Sequence, residues 1–242
     1  MALTNKNVSY TAFLSLDAGN STGSGFHLTF EKKEYLITAK HVLFDEKDKL
    51  RCESLLITFQ NHTSEQEDAK TIVIDELDKI KIFKSLKSDI IAISLNDSEL
   101  FRIEENGKDI VSVNDDDIGE LKTIEIANNI LLVGFPTSLI MQNAVFFDIN
   151  RPLLRKGIVA GINSKENTFI IDCPVFYGNS GGPIIEYREN NEMKLIGIVS
   201  KYIPFVTEWK NNRESAFVRQ EFSNSGYAIC VPICEITQLL SK

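Results

Sequence analysis

The 242-residue sequence has no run approaching the roughly 18 consecutive apolar residues that a bilayer-crossing helix requires, and its longest apolar stretches are strand-length. A membrane-embedded protein is therefore not expected. Cysteine is sparse, with Cys52, Cys173, Cys230 and Cys234 only, too few to read as a disulfide framework in a chain of this size. Cys230 and Cys234 form a C-x-x-x-C pair with no second pair and no neighbouring His, short of the four ligands of a structural zinc site. No metal is expected. Basic charge is in deficit, 26 Lys and Arg against 34 Asp and Glu for a net charge of −8, so a nucleic-acid surface would have to oppose the overall field. No nucleic-acid partner is expected. The first twenty residues lack the apolar segment of a secretory signal, which points to a cytoplasmic location and reduced thiols.

What the sequence does contain is 43% hydrophobic residues, enough for one large domain or two small ones, each with its own core. Short segments rich in Val, Ile, Phe and Thr recur between polar turns, the spacing of an all-β sandwich or barrel. Strands are expected at Thr11 to Leu16, Gly25 to Phe30, Tyr35 to Thr38, Leu55 to Phe59, Thr71 to Ile74, Ile80 to Phe83 and Ile90 to Leu95. A polar stretch follows, Glu104 to Lys122, with Asn106-Gly107 and Asp115-Asp116-Asp117, and reads as a surface connection.

Strands resume at Asn129 to Val133, Ala144 to Asp148, Gly157 to Ile162, Thr168 to Ile171, Gly182 to Glu186, Leu195 to Lys201 and Tyr227 to Val231. The chain thus divides into an N-terminal barrel at 8–110 and a C-terminal barrel at 121–242. Pro232 and the helical spacing of Ile233, Ile236, Leu239 and Leu240 add a closing α-helix at about 232–241, expected to pack on the second barrel. Residues 202–225 read as a long loop, either a lid or partner-binding element or a locally packed excursion.

The chemistry concentrates in Tyr177-Gly178-Asn179-Ser180-Gly181-Gly182-Pro183. Flanking glycines let the backbone turn tightly, so the N–H groups of Gly178 and Ser180 can converge where negative charge develops as a hydroxyl attacks a carbonyl. A serine hydroxyl needs a base to take its proton, and the chain has only three histidines. His27 lies within an expected strand and His62 in a polar loop. His41 ends the apolar segment beginning at Tyr35, at the rim where a strand gives way to a turn. A carboxylate must then orient the imidazole. Asp89, immediately before Ile90-Ile91-Ala92-Ile93, fits best.

The order His41, Asp89, Ser180 resembles that of trypsin-like, chymotrypsin-fold serine endopeptidases. Thr38-Ala39-Lys40-His41 is similar to the family's T-A-x-H, Asp89-Ile90-Ile91-Ala92 to its Asp before an apolar strand, and Gly178 to Pro183 to its G-[DN]-S-G-G-P. Ser21 through Phe26, Gly134-Phe135-Pro136, Gly197 to Ser200 and Gly226 to Ile229 extend the likeness over nearly the whole chain. The resemblance implies an all-β fold of two antiparallel six-stranded β-barrels with a C-terminal α-helix. It implies a serine endopeptidase with His41, Asp89 and Ser180 catalytic, Gly178 and Ser180 as the oxyanion hole, and no cofactor.

Within that family the sequence is similar to the catalytic domain of bacterial high-temperature-requirement proteases. Asn179 precedes the nucleophile where the digestive branch has Asp, so the buried salt bridge to a newly cut N-terminus cannot form, and Val42 stands where the disulfide-bonded branch has Cys. By resemblance, Ser200 bonds Asp89, and Ser200, Lys201 and Tyr202 offer backbone to an extended protein or peptide substrate. A specificity pocket is implied at Cys173-Pro174-Val175, Tyr202 and Gly226 to Ala228. With Pro174 where a trypsin has Asp, a neutral, small or hydrophobic side chain is expected before the cut bond. The competing readings are a peptide- or partner-binding module on the same fold, and a protease latent until a regulatory protein partner orders 202–225.

Overall fold

The computed structural model describes residues 8–60, 69–106, 110–137, 148–149, 151–188, 192–210 and 218–241. In the first half, β-branched and aromatic residues form β1 (Thr11–Leu16), β2 (Ser21–Phe30), β3 (Lys33–Thr38), β4 (Leu55–Phe59), β5 (Lys70–Ile74), β6 (Ile82–Lys84), β7 (Ile91–Ser94), β8 (Arg102–Asn106) and β9 (Val113–Asn114). They order as β6-β7-β3-β2-β1-β4-β5-β8, with β9 parallel to β2. Glu31 and Lys32 turn β2 into β3, both at positive φ (49° and 65°), the twist that suits a two-residue hairpin.

This sheet has to curl. β5 and β6 lie towards opposite ends of the strand order, yet only residues 75–81 join them, a length of chain that spans at most about 25 Å. The seven strands expected here become nine because the polar stretch from Glu104 contributes part of β8 and all of β9, which sequence polarity disguised as connection. Buried Leu14, Phe26, Leu36, Ile37, Phe59 and Ile91 fill the interior, each contributing about 1.5–3 kcal/mol of hydrophobic stabilisation.

The second half closes into a six-stranded barrel: β10 (Asn129–Gly134), β11 (Leu153–Asn163), β12 (Thr168–Asp172), β13 (Pro183–Tyr187), β14 (Met193–Lys210) and β15 (Val218–Pro232). The order is β10-β11-β12-β15-β14-β13, with β10 and β13 pairing to complete the ring. Most of the strand expected at Ala144 to Asp148 lies outside the described residues. A second core of Leu132, Phe169, Ile171, Cys173 and Cys230 fills this barrel. The two barrels touch through Phe13 and Phe135, whose ring centroids are 5.4 Å apart.

Two expectations are corrected. Residues 202–210 and 218–225 are not loop but the outer part of β14 and β15, paired from Pro204↔Asn224 to Lys210↔Val218. Pro204 and the charged residues beyond it concealed a two-stranded ribbon, and a proline is tolerated there because the strand has a free edge. Phe205, Trp209 and Phe222 on the ribbon are each 61% exposed, so its aromatics are not packed away.

The closing helix α2 (Cys234–Leu240) is the second correction. Its buried Ile236 and the capping Ile233 just before it belong to the larger core centred on the first sheet, and the helix lies against β6 rather than on its own barrel alone. Glu235 accepts a 2.7 Å hydrogen bond from the Ser88 hydroxyl and another from Asn167. The C-terminus thereby ties the second half of the chain to the residue beside Asp89. Among the described residues no helix is long and apolar enough to cross a membrane.

Candidate active site

His41 sits in a single helical turn, α1 (Lys40–Leu43), directly after β3. Val42 and Leu43 of that turn are buried and anchor it, which leaves the imidazole on the solvent side. Asp89 precedes β7 and Ser180 sits on the turn leading into β13, so the two barrels deliver the three side chains to one cleft. His41 Nδ1 is 2.7 Å from Asp89 Oδ2, and His41 Nε2 is 2.9 Å from Ser180 Oγ. The His41 backbone N–H also donates to Asp89 Oδ1 at 2.9 Å. Asp89 is acceptor-only when ionised, so the ring proton belongs on Nδ1 and Nε2 is left to accept from the serine.

A register shift between Val199 and Lys201 in the β14–β15 ladder isolates Ser200, and such bulges re-aim a side chain. Ser200 Oγ donates to Asp89 Oδ2 at 2.6 Å. Burial raises the Asp89 carboxyl, but the His41 hydrogen bond and charge, the Ser200 hydroxyl and the His41 amide together outweigh it. Its pKa lies below the ordinary carboxylate value. With side-chain exposures of 45% for His41 and 26% for Asp89, the imidazole is open to solvent and the carboxylate is mostly shielded.

The turn around Ser180 depends on two glycines. Gly178 has φ +95°, and a Cβ there would come within 2.2 Å of Phe135 O. Gly181 has φ +84°, and a Cβ there would come within 2.2 Å of Ser24 O. Any larger residue would clash with backbone as well as strain the chain. Among the described residues no backbone carbonyl takes the Gly178 or Ser180 amide, which leaves both free to donate to a ligand. Asn179 between them is 1% exposed.

Ser24 is a residue that the motif reading quoted but gave no role. Its Oγ donates to Gly178 O at 2.6 Å and accepts from Phe135 N at 3.0 Å, and its backbone N–H donates to Ser180 O at 2.9 Å. The Gly-Ser-Gly string around it was the available signal. Arg51 was passed over entirely: its Nη1 donates to His41 O at 3.0 Å, and nothing in its polar surroundings distinguishes it in sequence. Asn224 was also missed. Its Nδ2 donates to Val175 O at 2.7 Å while its Oδ1 accepts from Gly226 N at 2.9 Å, bracing the turn against the ribbon.

A groove of about 510 Å³ runs past Ser180, and Ser200, Lys201, Tyr202, Val175, Phe176 and Tyr177 form one of its walls. Tyr177 and Tyr202 meet edge to face at 6.1 Å. Pro174 is exposed and Ala228 is buried in the second core; neither lines this groove. Gly226 is half-buried, its carbonyl accepting from Cys173 N at 2.9 Å, and supports the wall from behind. A second cavity of about 860 Å³, lined by Lys40, Phe44, Lys84 and Leu86, opens on the other side of His41. His27 is buried against the Phe59 ring, 3.6 Å from Glu34, and His62 lies outside the described residues. Among the described residues no group of three or more His, Cys, Asp or Glu could hold a metal ion.

The trypsin-like peptidase domain family matches residues 23–198. The chain belongs to that family, whose class is the serine proteases. No curated protein matches the sequence. Solved structures similar in fold include the serine endoprotease from Yersinia pestis, 15% identical with a TM-score of 0.58, over 98% of this chain and 63% of that one. The protease Anisep from Arthrobacter nicotinovorans is 15% identical with a TM-score of 0.58, over 98% and 97% of the two chains. The serine protease AL20 from an extremophilic microorganism is 12% identical with a TM-score of 0.57, over 94% and 92%. The chain thus spans about two-thirds of the Yersinia protein's length and nearly all of the other two.

Proposed function

We propose that the protein is a serine endopeptidase that hydrolyses peptide bonds in protein substrates through an acyl-enzyme. The observation that carries this reading is the unbroken run of contacts from Asp89 Oδ2 through His41 to Ser180 Oγ, at 2.7 and 2.9 Å. Ser180 Oγ attacks the scissile carbonyl carbon as His41 Nε2 takes its proton. The resulting oxyanion lies at the Gly178 and Ser180 amides, which no backbone carbonyl occupies among the described residues and which donate to it as charge develops. His41 then returns the proton to the leaving amine. The acyl-enzyme is cleared by water, which His41 deprotonates in turn. Asp89 keeps the imidazole in the required tautomer and stabilises its protonated form, and Ser200 holds Asp89.

The substrate docks as an added strand. β13 and the turn before it cover one edge of β14 as far as Val199, so among the described residues that edge is open from Ser200 onward to an extended peptide, whose backbone supplies affinity without reading sequence. Val175, Tyr177 and Tyr202 favour a neutral, small or hydrophobic side chain before the cut bond, since among the described residues no carboxylate lines the groove to hold Arg or Lys. Proteome-wide mapping of cleavage products from wild type and Ser180→Ala tests this. Cuts present only with wild type and following neutral residues are expected; identical maps for the two proteins would overturn the reading.

A further inference from the structure

The groove beside Ser180 is lined by charged side chains of one sign. Arg51 and Lys201 face it, one from each barrel, and among the described residues no Asp or Glu does. Arg155 stands behind it, its guanidinium 4.6 Å from the centroid of the Phe176 ring that forms part of the wall. This local sign opposes the net charge of −8, so average composition does not explain it.

Arg51 and Lys201 are also left without acidic partners, whereas several other surface cations are paired. Lys79, Lys84, Arg102, Arg188 and Lys194 each have a carboxylate within 4.0 Å. Among the described residues, Arg51 and Lys201 have none. Of the acids near Arg51, Asp45 Oδ1 accepts from the Lys47 and Lys49 amides and Asp48 pairs with Lys84 at 2.6 Å; Glu46, Glu53 and Asp78 border the neighbouring cavities that Arg51 also lines, and among the described residues none of them pairs with it. Arg51 is held in place by its bond to His41 O. That bond uses one of five guanidinium N–H donors, and the rest of the fork matches a carboxylate in two-point geometry.

We propose that the substrates are acidic: polypeptide segments with Asp or Glu flanking a neutral residue at the cut. This rests on the peptidase reading, in which the strand along Ser200 to Tyr202 carries the residues before the cut. Lys201 then meets a carboxylate on that side. Arg51, sharing its wall with Ser21, Thr22 and Val42, meets one on the residues after it. Each contact is a solvent-facing ion pair, modest alone and weakened by salt.

Binding separates this proposal from catalysis. Fluorescein-labelled decapeptides of Ala and Leu, carrying either two Glu or two Lys around the central bond, are titrated into Ser180→Ala at low ionic strength. The Glu peptide should bind about tenfold more tightly, with the difference shrinking as salt rises. Arg51→Glu and Lys201→Glu in the Ser180→Ala background should each reduce or invert that ratio, and either suffices if the other fails to fold. Equal affinities, or a ratio unmoved by both charge reversals, would overturn the proposal. Wild type that binds the Glu peptide preferentially yet hydrolyses nothing would overturn the peptidase reading while leaving the charge preference standing.

Discussion

Ser24 Oγ donates a 2.6 Å hydrogen bond to the carbonyl of Gly178, joining β2 of the first sheet to the turn that carries Ser180 in the second barrel. The same oxygen accepts from Phe135 N, and Thr38 Oγ1 donates to the Ser24 carbonyl at 2.7 Å. One fully buried hydroxyl thus holds the peptide that follows Gly178, which lies between the two peptides carrying the Gly178 and Ser180 amides.

Ser24→Ala leaves a buried N–H and a buried C=O each short of a partner, at a cost of about 1–3 kcal/mol. Chemical denaturation should register that loss as a lower midpoint with an unchanged slope. In steady-state kinetics kcat should fall about 10- to 100-fold with KM nearly constant, because the loosened amides serve the oxyanion more than the bound peptide. A rise in KM alone would assign Ser24 to substrate binding instead.

Gly178→Ala should be more damaging to activity than any surface change in the groove. The added methyl would meet Phe135 O at 2.2 Å in a backbone conformation with φ +95°, so the turn must move. Hydrolysis of a peptide substrate is expected to fall by about 10²- to 10³-fold, the scale of losing one oxyanion donor. Activity within a factor of two of wild type would show that the turn tolerates the shift.

Asp89 links the site to pH. Its carboxyl titrates below the ordinary value in the folded protein, so the ionised form is favoured by folding. The sign follows: the stabilisation is fully present above the unfolded-state value of about 3.9 and is lost as pH falls through the lower folded value. Wild type should therefore exceed Asp89→Asn in unfolding free energy by a margin that is constant above about pH 5 and narrows below about pH 4. Denaturant melts of both proteins across pH 2.5–7, chosen to bracket about 3.9, measure it. Asp89→Asn should also lower kcat by about 10⁴-fold through the wrong imidazole tautomer.

Much of this was legible from residue patterns alone. Thr11–Leu16 and Leu55–Phe59 alternate or run apolar between clear turn residues and were placed to the residue. Residues around Ser180 carry their own turn chemistry in consecutive glycines. Three things were not legible, each because a long-range partner decides it. β9 is a two-residue strand that exists only because β2 has a free edge beside it. The ribbon of β14 and β15 contains Pro204 and many charges, and cross-strand pairing rather than a buried face holds it extended. The helix from Cys234 to Leu240, with Ile233 at its cap, presents Ile233 and Ile236 to whichever core the chain path brings near, and periodicity cannot say which. Arg51 and Asn224 act through backbone carbonyls, contacts that leave no trace in spacing.

The peptidase reading stands on the reactivity of one hydroxyl among all those in the chain. Intact-mass and peptide-level spectrometry after incubation with a serine-directed phosphonate measures it directly. A single adduct on Ser180 is expected, absent from Ser180→Ala and strongly slowed in a folded His41→Ala protein. A folded wild type that takes up no label, or that is labelled equally after Ser180→Ala, would contradict it.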